Sequence, residues 1–280
     1  EAKRLQIDIR KKQHVQKIEK EGEFFKVTLE TEEVLLCRNL LLATGSSPQG
    51  HSFARALGHT IQEPVPSLFT FNIPAFALKE LAGISVENAA VQLIGTNLSQ
   101  TGPLLLTHWG FSGPAILKLS AWGARILHEK QYQFEIAIDW LPGKKREELI
   151  DAFRLLRNNH PNQSLSTQNF LPKNLWKKFL ELLNMDGKKR MAEVSNSEAI
   201  KICEKLKGDL YSVQGKTTHK EEFVTCGGVA LSEINFKTME SRKCQGLFFA
   251  GEILDIDGVT GGFNFQSAWT TGLLAGRSWG

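Results

Sequence analysis

The stretch from Gly246 to Gln266 constrains the fold most, because it places a strand, an acid, a glycine loop and a helix in close succession. The apolar run from Leu247 to Ala250 predicts a short buried strand, and Gly251 and Glu252 follow it directly. Helical spacing then begins and continues from Asn264 to Arg277. The N–H groups at a helix start favour negative charge, and glycine lets a ligand approach the backbone. This order therefore favours a nucleotide-binding turn over a tight turn without a ligand.

The predicted last helix has an apolar face, and its members share helical spacing: Phe265, Ala268, Trp269, Leu273 and Ala275. Gly272 and Gly276 allow close backbone approach on the same helix. We expect this face to pack against the rest of the domain.

The start of the chain predicts a β-meander that leads into a second buried strand. Apolar and polar residues alternate at Leu5, Ile7 and Ile9, and again at Phe25, Val27 and Leu29. Two further short runs begin at Val15 and at Val34, and the second of these ends at Cys37. The apolar run from Asn39 to Ala43 is typical of a parallel strand buried on both faces. It ends in Thr44 and Gly45, where a side chain on the glycine would block a ligand.

Two long motifs resemble one protein family. Residues 224–272 (VTCGGVALSEINFKTMESRKCQGLFFAGEILDIDGVTGGFNFQSAWTTG) and residues 102–120 (GPLLLTHWGFSGPAILKLS) are similar to blocks of the HI0933-like flavoproteins. These are bacterial FAD-dependent oxidoreductases with aminoacetone oxidase-like relatives. The resemblance covers nearly the whole chain and implies an α/β protein, built on a FAD-binding Rossmann-like domain with an inserted barrel-like β domain and a small helical subdomain.

The resemblance also implies which residues bind the cofactor. The meander followed by Ala-Thr-Gly resembles two-dinucleotide flavoproteins, in which the backbone at Thr44 and Gly45 lies close to FAD, and it makes the backbone of Val15 a candidate adenine contact. Glu252 is expected, after Gly251, to accept hydrogen bonds from ribose or ribityl hydroxyls. The N–H groups at the start of the last helix are expected to face the flavin's pyrimidine edge, from Gly261, Gly262, Phe263 and Asn264, with Asn264 as an alternative N-cap.

A second candidate site surrounds His108. Thr107 and His108 come just before Ser112 and Pro114, which predict the cap and first turn of a helix. A histidine beside an exposed helix start can donate to a substrate oxygen or move a proton, although it can equally bond backbone at a turn. In the family this block lies near the flavin ring, so the resemblance makes His108 the leading catalytic candidate and Thr107 a weaker one.

The changes in pattern along the chain predict three parts. A discontinuous FAD-binding domain comprises residues 1–66 and 230–280, and the prolines at 64 and 66 are typical of a domain crossing. A β-rich substrate domain comprises 67–142 and 208–229. A helical subdomain comprises 143–207, with amphipathic helices from Arg146 to Arg157, Lys173 to Leu183 and Ser195 to Leu206.

The helical subdomain is also basic. Residues 143–207 contain fourteen Lys or Arg and eight Asp or Glu, so this segment has a net charge of +6. The whole chain has a net charge of +4, so the remaining residues together have a net charge of −2. The clusters are Lys144 to Arg146, Lys177 with Lys178, and Lys188 to Arg190. A solvated helical face explains them, and RNA is the alternative partner.

Several classes of site and location are excluded or disfavoured. No apolar run is long enough to span a bilayer, and the start of the chain has no apolar signal core. The cysteines at 37, 203, 226 and 244 form no CxxC pair, which argues against zinc and disulfides and favours a reducing cytoplasm. The chain lacks phosphate-loop, HExxH and Ser/His/Asp motifs, and the need for such motifs disappears where a flavin carries the redox step.

These patterns predict a FAD-dependent oxidoreductase that passes electrons through flavin N5, with a small-molecule substrate and NAD(P)H or oxygen as electron partner. The family's opening strand, GxGxxG turn and helix, roughly a hundred residues, are absent here, and Glu1 is not an initiator methionine. We therefore expect a truncated chain that binds FAD poorly or not at all by itself. The alternatives are a flavin enzyme that modifies a base in RNA, and a non-catalytic fragment.

Overall fold

A computed structural model describes residues 1–217 and 224–279, and the chain divides into two compact units. The first unit comprises Glu1–Val65 and Thr225–Gly280, and the second comprises Pro66–Val224. The sequence also predicts a strand from Glu222 to Thr225, and its first two residues lie outside the described residues.

The strands are, in chain order, β1 (Val15–Glu21), β2 (Phe24–Leu29), β3 (Val34–Cys37), β4 (Leu40–Leu42), β5 (Ile61–Ser67), β6 (Thr70–Asn72), β7 (Ser85–Leu93), β8 (Ser99–Leu106), β9 (Gly110–Ser112), β10 (Gln133–Asp139), β11 (Asp209–Gln214), β12 (Lys216–Thr217), β13 (Val224–Val229), β14 (Ile234–Asn235), β15 (Glu240–Ser241) and β16 (Leu247–Phe249). The helices are α1 (Pro48–Ala56), α2 (Pro114–Trp122), α3 (Ala124–Glu129), α4 (Arg146–Asn159), α5 (Lys173–Leu182), α6 (Asn196–Lys207) and α7 (Gly261–Arg277).

The first unit begins with the predicted meander. Strands β1, β2 and β3 pair antiparallel in that order, and Phe25, Val27 and Leu29 point into the core. The meander is therefore confirmed, but the strand predicted at Leu5, Ile7 and Ile9 is wrong. Those three side chains are exposed, and turn hydrogen bonds hold the backbone near residues 1–7. Alternation favours a strand only where a neighbouring strand and a buried face are available.

A second sheet of the first unit joins the two predicted buried strands. Its order is β14-β15-β16-β4, and β16 pairs parallel with β4. The parallel direction predicted for residues 39–43 is confirmed. Burial on both faces is not found: Leu42 is buried, whereas Leu40 and Leu41 are only half-buried because β4 lies at the edge of the described sheet.

Two helices flank these strands in the first unit. Helix α1 begins at Pro48, ahead of the predicted start at Phe53, because Pro48 takes a first-turn position after Ser47. Helix α7 begins at Gly261 with Thr260 as N-cap, so the prediction of Asn264 as N-cap is wrong. Strands β5 and β13 pair with each other and carry the chain between the units.

The second unit contains a sheet with the order β11-β10-β7-β8-β9-β6-β12 and a group of helices. The predicted single helix after Ser112 is two helices, because Gly123 ends α2 and begins α3, and Gly113 rather than Ser112 stands at the N-cap. Helices α4, α5 and α6 begin where the sequence predicts, within one residue, and Ser195 caps α6 with Glu198 in a capping box. Most of their predicted inward residues are buried, but Ile200 is exposed.

Candidate functional site

The parallel pairing of β4 and β16 brings two predicted turns to the same edge of the sheet. Leu42 pairs in register with Phe249, and the backbone N–H of Ala250 donates to the carbonyl oxygen of Leu42 at 3.1 Å. The chain therefore leaves both strands side by side, toward Gly45 on one strand and Glu252 on the other. In α/β sheets, the carboxyl ends of parallel strands are where ligands bind.

Gly45 leaves its backbone open at this edge. Its φ is +61°, and a Cβ placed on it would meet no atom within 4 Å. The glycine is therefore required by its left-handed backbone and not by packing against the protein. Its neighbour Thr44 is directed elsewhere: a Cβ on Gly50 would lie 1.8 Å from Thr44 Oγ1, so the Thr44 side chain rests on the first turn of α1.

A short 3₁₀ turn, Gly251–Ile253, carries the predicted acid. Gly251 has φ +75°, and its N–H donates to Thr271 Oγ1 of α7 at 2.9 Å. Glu252 is half-buried, and no residue within 1–217 or 224–279 forms a hydrogen bond or ion pair with its carboxylate. The turn is thus anchored from behind, and its acid is left available to bind hydroxyl groups.

The start of α7 lies in the same unit, but its residues play different parts. Asn264 is buried, and its side chain accepts from the N–H of Gly258 at 2.7 Å and donates to the carbonyl oxygens of Gly258 and Thr260. Asn264 therefore fixes the glycine loop, and its side chain is not available to a ligand. Phe263 is 62% exposed, and Gly262 has only Thr260 Oγ1 near its Cβ position. The first-turn N–H groups precede the α-helical bonding pattern, so they remain donors for a ligand.

Val15 is connected to this site through α1. Its carbonyl oxygen accepts a hydrogen bond from Gln49 Nε2 at 2.6 Å, and Gln49 lies in the first turn of α1. The carbonyl oxygen of Val15 is therefore already engaged by α1, and its contact with adenine stays a prediction.

His51 is a further candidate site residue, which the sequence patterns did not single out. It lies on α1, is 3% exposed, and its Nε2 has no hydrogen-bond partner in the described part of the chain. Burial lowers the pKa of His51, the charge of Arg55 lowers it further, and a backbone group of Ile253 opposes the shift. An unsatisfied buried nitrogen is costly, and this one lies against the turn that bears Glu252. Its position directly after the Ala-Thr-Gly turn was the available signal.

The predicted catalytic pair, Thr107 and His108, lies in the second unit. Thr107 Oγ1 donates to the carbonyl oxygen of Gly110 at 3.0 Å and accepts from the N–H groups of Trp109 and Gly110. The hydroxyl of Thr107 therefore closes a tight turn between β8 and β9 and is engaged there. His108 is exposed on that turn, with its ring centroid 6.0 Å from that of Trp109.

Acids of the same segment neutralise about half of the residues in the basic clusters. Lys189 pairs with Glu198 at 2.8 Å, and this ammonium, with the backbone of Ser195, lowers the pKa of Glu198 to about 2. Other pairs are Arg190 with Glu193, Lys178 with Glu181, and Arg146 with Glu204. In the described residues, no ion pair engages Lys144, Lys145, Lys177 or Lys188, so each cluster keeps some unpaired positive charge.

Residues 1–217 and 224–279 were the basis for three further findings about metal sites, disulfides and membrane spans, which concern this part of the chain alone. No group of three or more His, Cys, Asp or Glu side chains there is arranged to hold a metal ion. No disulfide joins cysteines of this part of the chain. Among its helices, none has both the length and the apolar character to cross a membrane.

Comparison with known proteins identifies the family. The HI0933-like protein Rossmann domain matches residues 1–278. This chain belongs to the HI0933-like family. The family membership implied by the two motifs is confirmed, as is a Rossmann-like, mixed α/β class.

Three proteins that are similar in sequence to this HI0933-like chain have names that describe a reaction. It is 30% identical over 240 residues to the 3-dehydro-bile acid delta(4,6)-reductase of Clostridium scindens, and 33% identical over 248 residues to the ribosomal RNA dihydrouridine synthase of Haemophilus influenzae. It is 32% identical over 251 residues to the ribosomal RNA dihydrouridine synthase of Escherichia coli. Each match covers 84% of this chain, and the chain spans 58% to 59% of the length of these relatives.

Proposed function

We propose that the protein is a FAD-dependent oxidoreductase. The observation that carries the proposal is the register of β4 and β16, whose neighbouring carboxyl ends lead to the open backbone of Gly45 and to the unpaired acid of Glu252. Glycine for close approach and an acid for sugar hydroxyls are the groups that a dinucleotide requires at a strand edge. The first-turn N–H groups of α7, at Gly261 to Phe263, add donors for the flavin ring.

These residues fit the cofactor by their chemistry, and each has a defined task. Gly45 admits the phosphate or adenosine part to the main chain, and Glu252 accepts hydrogen bonds from hydroxyl groups. The start of α7 stabilises negative charge on the pyrimidine edge. The unsatisfied Nε2 of the buried His51 is consistent with a site completed by a bound group. Bound FAD supplies the redox step and accepts or delivers a hydride at N5.

The names of the relatives support a narrower reaction class. A delta(4,6)-reductase removes carbon–carbon double bonds from an oxidised bile acid, and dihydrouridine contains two more hydrogens than uridine. Both names describe addition of hydrogen to a double bond that is conjugated with a carbonyl group. We therefore extend the proposal to reduction of a ring double bond that is conjugated with a carbonyl group, with NAD(P)H as the ultimate electron donor.

His108 is the protein group proposed for proton transfer in this reaction. It is exposed on a turn whose backbone is fixed by Thr107, so its imidazole is open to solvent. An imidazole N–H can donate to the carbonyl oxygen, which withdraws electrons from the double bond and favours hydride addition. Thr107 supports this role through the turn.

The finer domain division remains part of the proposal. We assign residues 1–66 and 230–280 to the flavin domain, 67–142 and 208–229 to a barrel-like substrate domain, and 143–207 to a helical subdomain. The sheet and helices of the second unit support this division. A reducing cytoplasm is the proposed location.

Absorbance of the purified full-length protein tests the proposal. We expect stoichiometric flavin with bands near those of free FAD, bleaching on addition of NAD(P)H, and reoxidation by an unsaturated carbonyl compound. Residues 1–280 alone should retain little flavin. A full-length protein without flavin, or with flavin that no nicotinamide reduces and no enone oxidises, would refute the function.

Modification of a base in RNA is the second candidate function. It is favoured by the names of two relatives and by the unpaired lysines Lys144 and Lys145 at the start of α4. Phosphate groups bind such lysines, and the binding then weakens with salt. Reduction of uridine within RNA would be an example of both candidate functions. The two are separated by the substrate that reoxidises the flavin, which is either a small unsaturated carbonyl compound or RNA.

A further inference from the structure

The turn between β8 and β9 exposes an aromatic ring that no structural role explains. Trp109 is 62% exposed, while the neighbouring residues Leu106, Gly110 and Phe111 are buried. A single exposed tryptophan is not unusual in itself. Trp109, however, lies beside His108 on a turn whose backbone is held by several hydrogen bonds, and this position suggests a binding role.

The backbone beneath Trp109 is held by several independent contacts. Thr107 Oγ1 accepts from the N–H of Trp109 at 3.3 Å, and the carbonyl oxygen of Trp109 accepts from the N–H of Ile73 at 2.7 Å. Gly110 packs so closely that a Cβ on it would lie 2.2 Å from the carbonyl oxygen of Phe71. The protein therefore fixes the main chain beneath an exposed side chain, so a ligand that binds the indole does not have to order the backbone.

The two rings of the turn leave an aromatic face open. The centroids of His108 and Trp109 are 6.0 Å apart, and their planes meet at 65°, so they do not stack on each other. A flat ligand can therefore lie on the indole while its edge reaches the imidazole. Offset stacking of flat rings adds binding energy beyond the area that is buried.

We propose that Trp109 is the stacking platform for the planar conjugated ring of the substrate and holds its carbonyl oxygen toward His108. This rests on the proposed reduction of a conjugated carbonyl ring. Hydrogen addition converts two flat ring carbons to tetrahedral ones, so the product ring puckers and stacks less well. Trp109 therefore selects the unsaturated substrate over the reduced product and favours product release.

Paired ligands test this inference by titration of the flavin-loaded, full-length protein. One pair is a 4-en-3-oxosteroid and its saturated 3-oxo counterpart, and the other is a uridine-containing RNA oligonucleotide and its dihydrouridine counterpart. We expect wild type to prefer the unsaturated member of one pair, and that pair identifies the source of the ring. Trp109→Ala should weaken binding of the unsaturated member about tenfold and that of the saturated member much less, while Trp109→Phe keeps most of the preference.

Trp122→Ala is the matched control, because Trp122 is 64% exposed at the end of α2 and lies outside the turn. It should bind all four ligands as wild type does. Equal weakening of both members by Trp109→Ala, no weakening at all, or no preference in wild type for either unsaturated ligand overturns the stacking role. Flavin content and bleaching by NAD(P)H are recorded on the same samples, so loss of the proposed function is distinguished from loss of this inference.

Discussion

The backbone N–H of Gly251 donates to Thr271 Oγ1 at 2.9 Å, so α7 holds the turn that carries Glu252. Thr271 is buried, and its hydroxyl donates in turn to the carbonyl oxygen of Ser267 at 2.8 Å. The helix that offers its N-terminus to the proposed ligand therefore also positions the acid. This contact connects two parts of the candidate site that lie twenty residues apart in sequence.

Thr271→Val keeps the shape of this side chain and removes the hydroxyl. We expect a loss of about 1–2 kcal/mol in the free energy of unfolding, because the Gly251 N–H is left unpaired. Flavin retention on gel filtration of the full-length protein should also fall. Thr271→Ser retains the oxygen and serves as control. Equal flavin retention in the valine and serine variants would contradict the positioning of Glu252 by α7.

Glu252→Gln tests the acid itself. A hydrogen bond to a charged group contributes about 1.5–3 kcal/mol, so we expect flavin affinity to fall about tenfold to a hundredfold. Stability of the flavin-free chain should change little, because no described residue pairs with this carboxylate. Fluorescence titration with FAD after mild flavin removal measures the effect. An unchanged dissociation constant would remove Glu252 from the site.

Local patterns predicted much of the fold. The alternation at Phe25, Val27 and Leu29 gave the meander, and helical spacing with a capping residue located α4, α5 and α6. These signals depend on residues a few positions apart, which is why they can be read from the sequence. The same signal misled at Leu5 to Ile9, where alternation is present but no partner strand pairs with it in the described chain.

The site was only partly predictable, because the use of a polar group depends on its distant neighbours. The register of Leu42 with Phe249 brings the carboxyl ends of β4 and β16 to one edge, while the cofactor contacts of the two glycine turns stay a prediction. The side chain of Asn264 and the hydroxyl of Thr107, however, are occupied by their own loops. The burial of His51 depends on the packing of α1, which nothing in its immediate sequence reveals.

His51 should give the stability of the chain a dependence on pH. Burial lowers the pKa of His51, so the native state resists protonation. Above the ordinary histidine pKa of about 6.5 both states are neutral and stability is complete. As the pH falls below that value, the unfolded chain takes up a proton that the folded chain does not, and stability is lost down to the folded pKa.

His51→Leu should therefore reduce the loss of unfolding free energy between pH 7.5 and pH 5.5. Urea titrations at the two pH values measure this difference. His59 is also buried with a lowered pKa, so a part of the pH dependence remains in the variant. His160→Gln changes an exposed histidine and is the control. Parallel losses in wild type and His51→Leu would show that His51 does not titrate as a buried group.

RNA binding, where it occurs, should depend on the unpaired lysines of the helical segment. We expect Lys144→Gln with Lys145→Gln to weaken binding and to reduce the slope of log affinity against log salt by about one to two. Replacement of Lys189 and Arg190 by Gln should have the smaller effect, because Glu198 and Glu193 already neutralise them. Filter binding at several salt concentrations measures the slopes. A larger effect from Lys189 and Arg190 would reverse this assignment.

The predicted apolar face of α7 is present, but it is exposed in the structure. Phe265, Trp269 and Leu273 are 65%, 70% and 54% exposed, and the first two rings lie 6.1 Å apart. Large exposed apolar patches bind other apolar surfaces. The chain of residues 1–280 should therefore bind the dye anilinonaphthalene sulfonate and self-associate as its concentration rises.

Phe265→Ser with Trp269→Ser should abolish most of both effects, whereas Trp122→Ser, at an exposed tryptophan outside α7, should leave them unchanged. Dye fluorescence and sedimentation velocity measure the two effects, and a wild-type chain that stays monomeric and dye-free would show that this face is covered in solution.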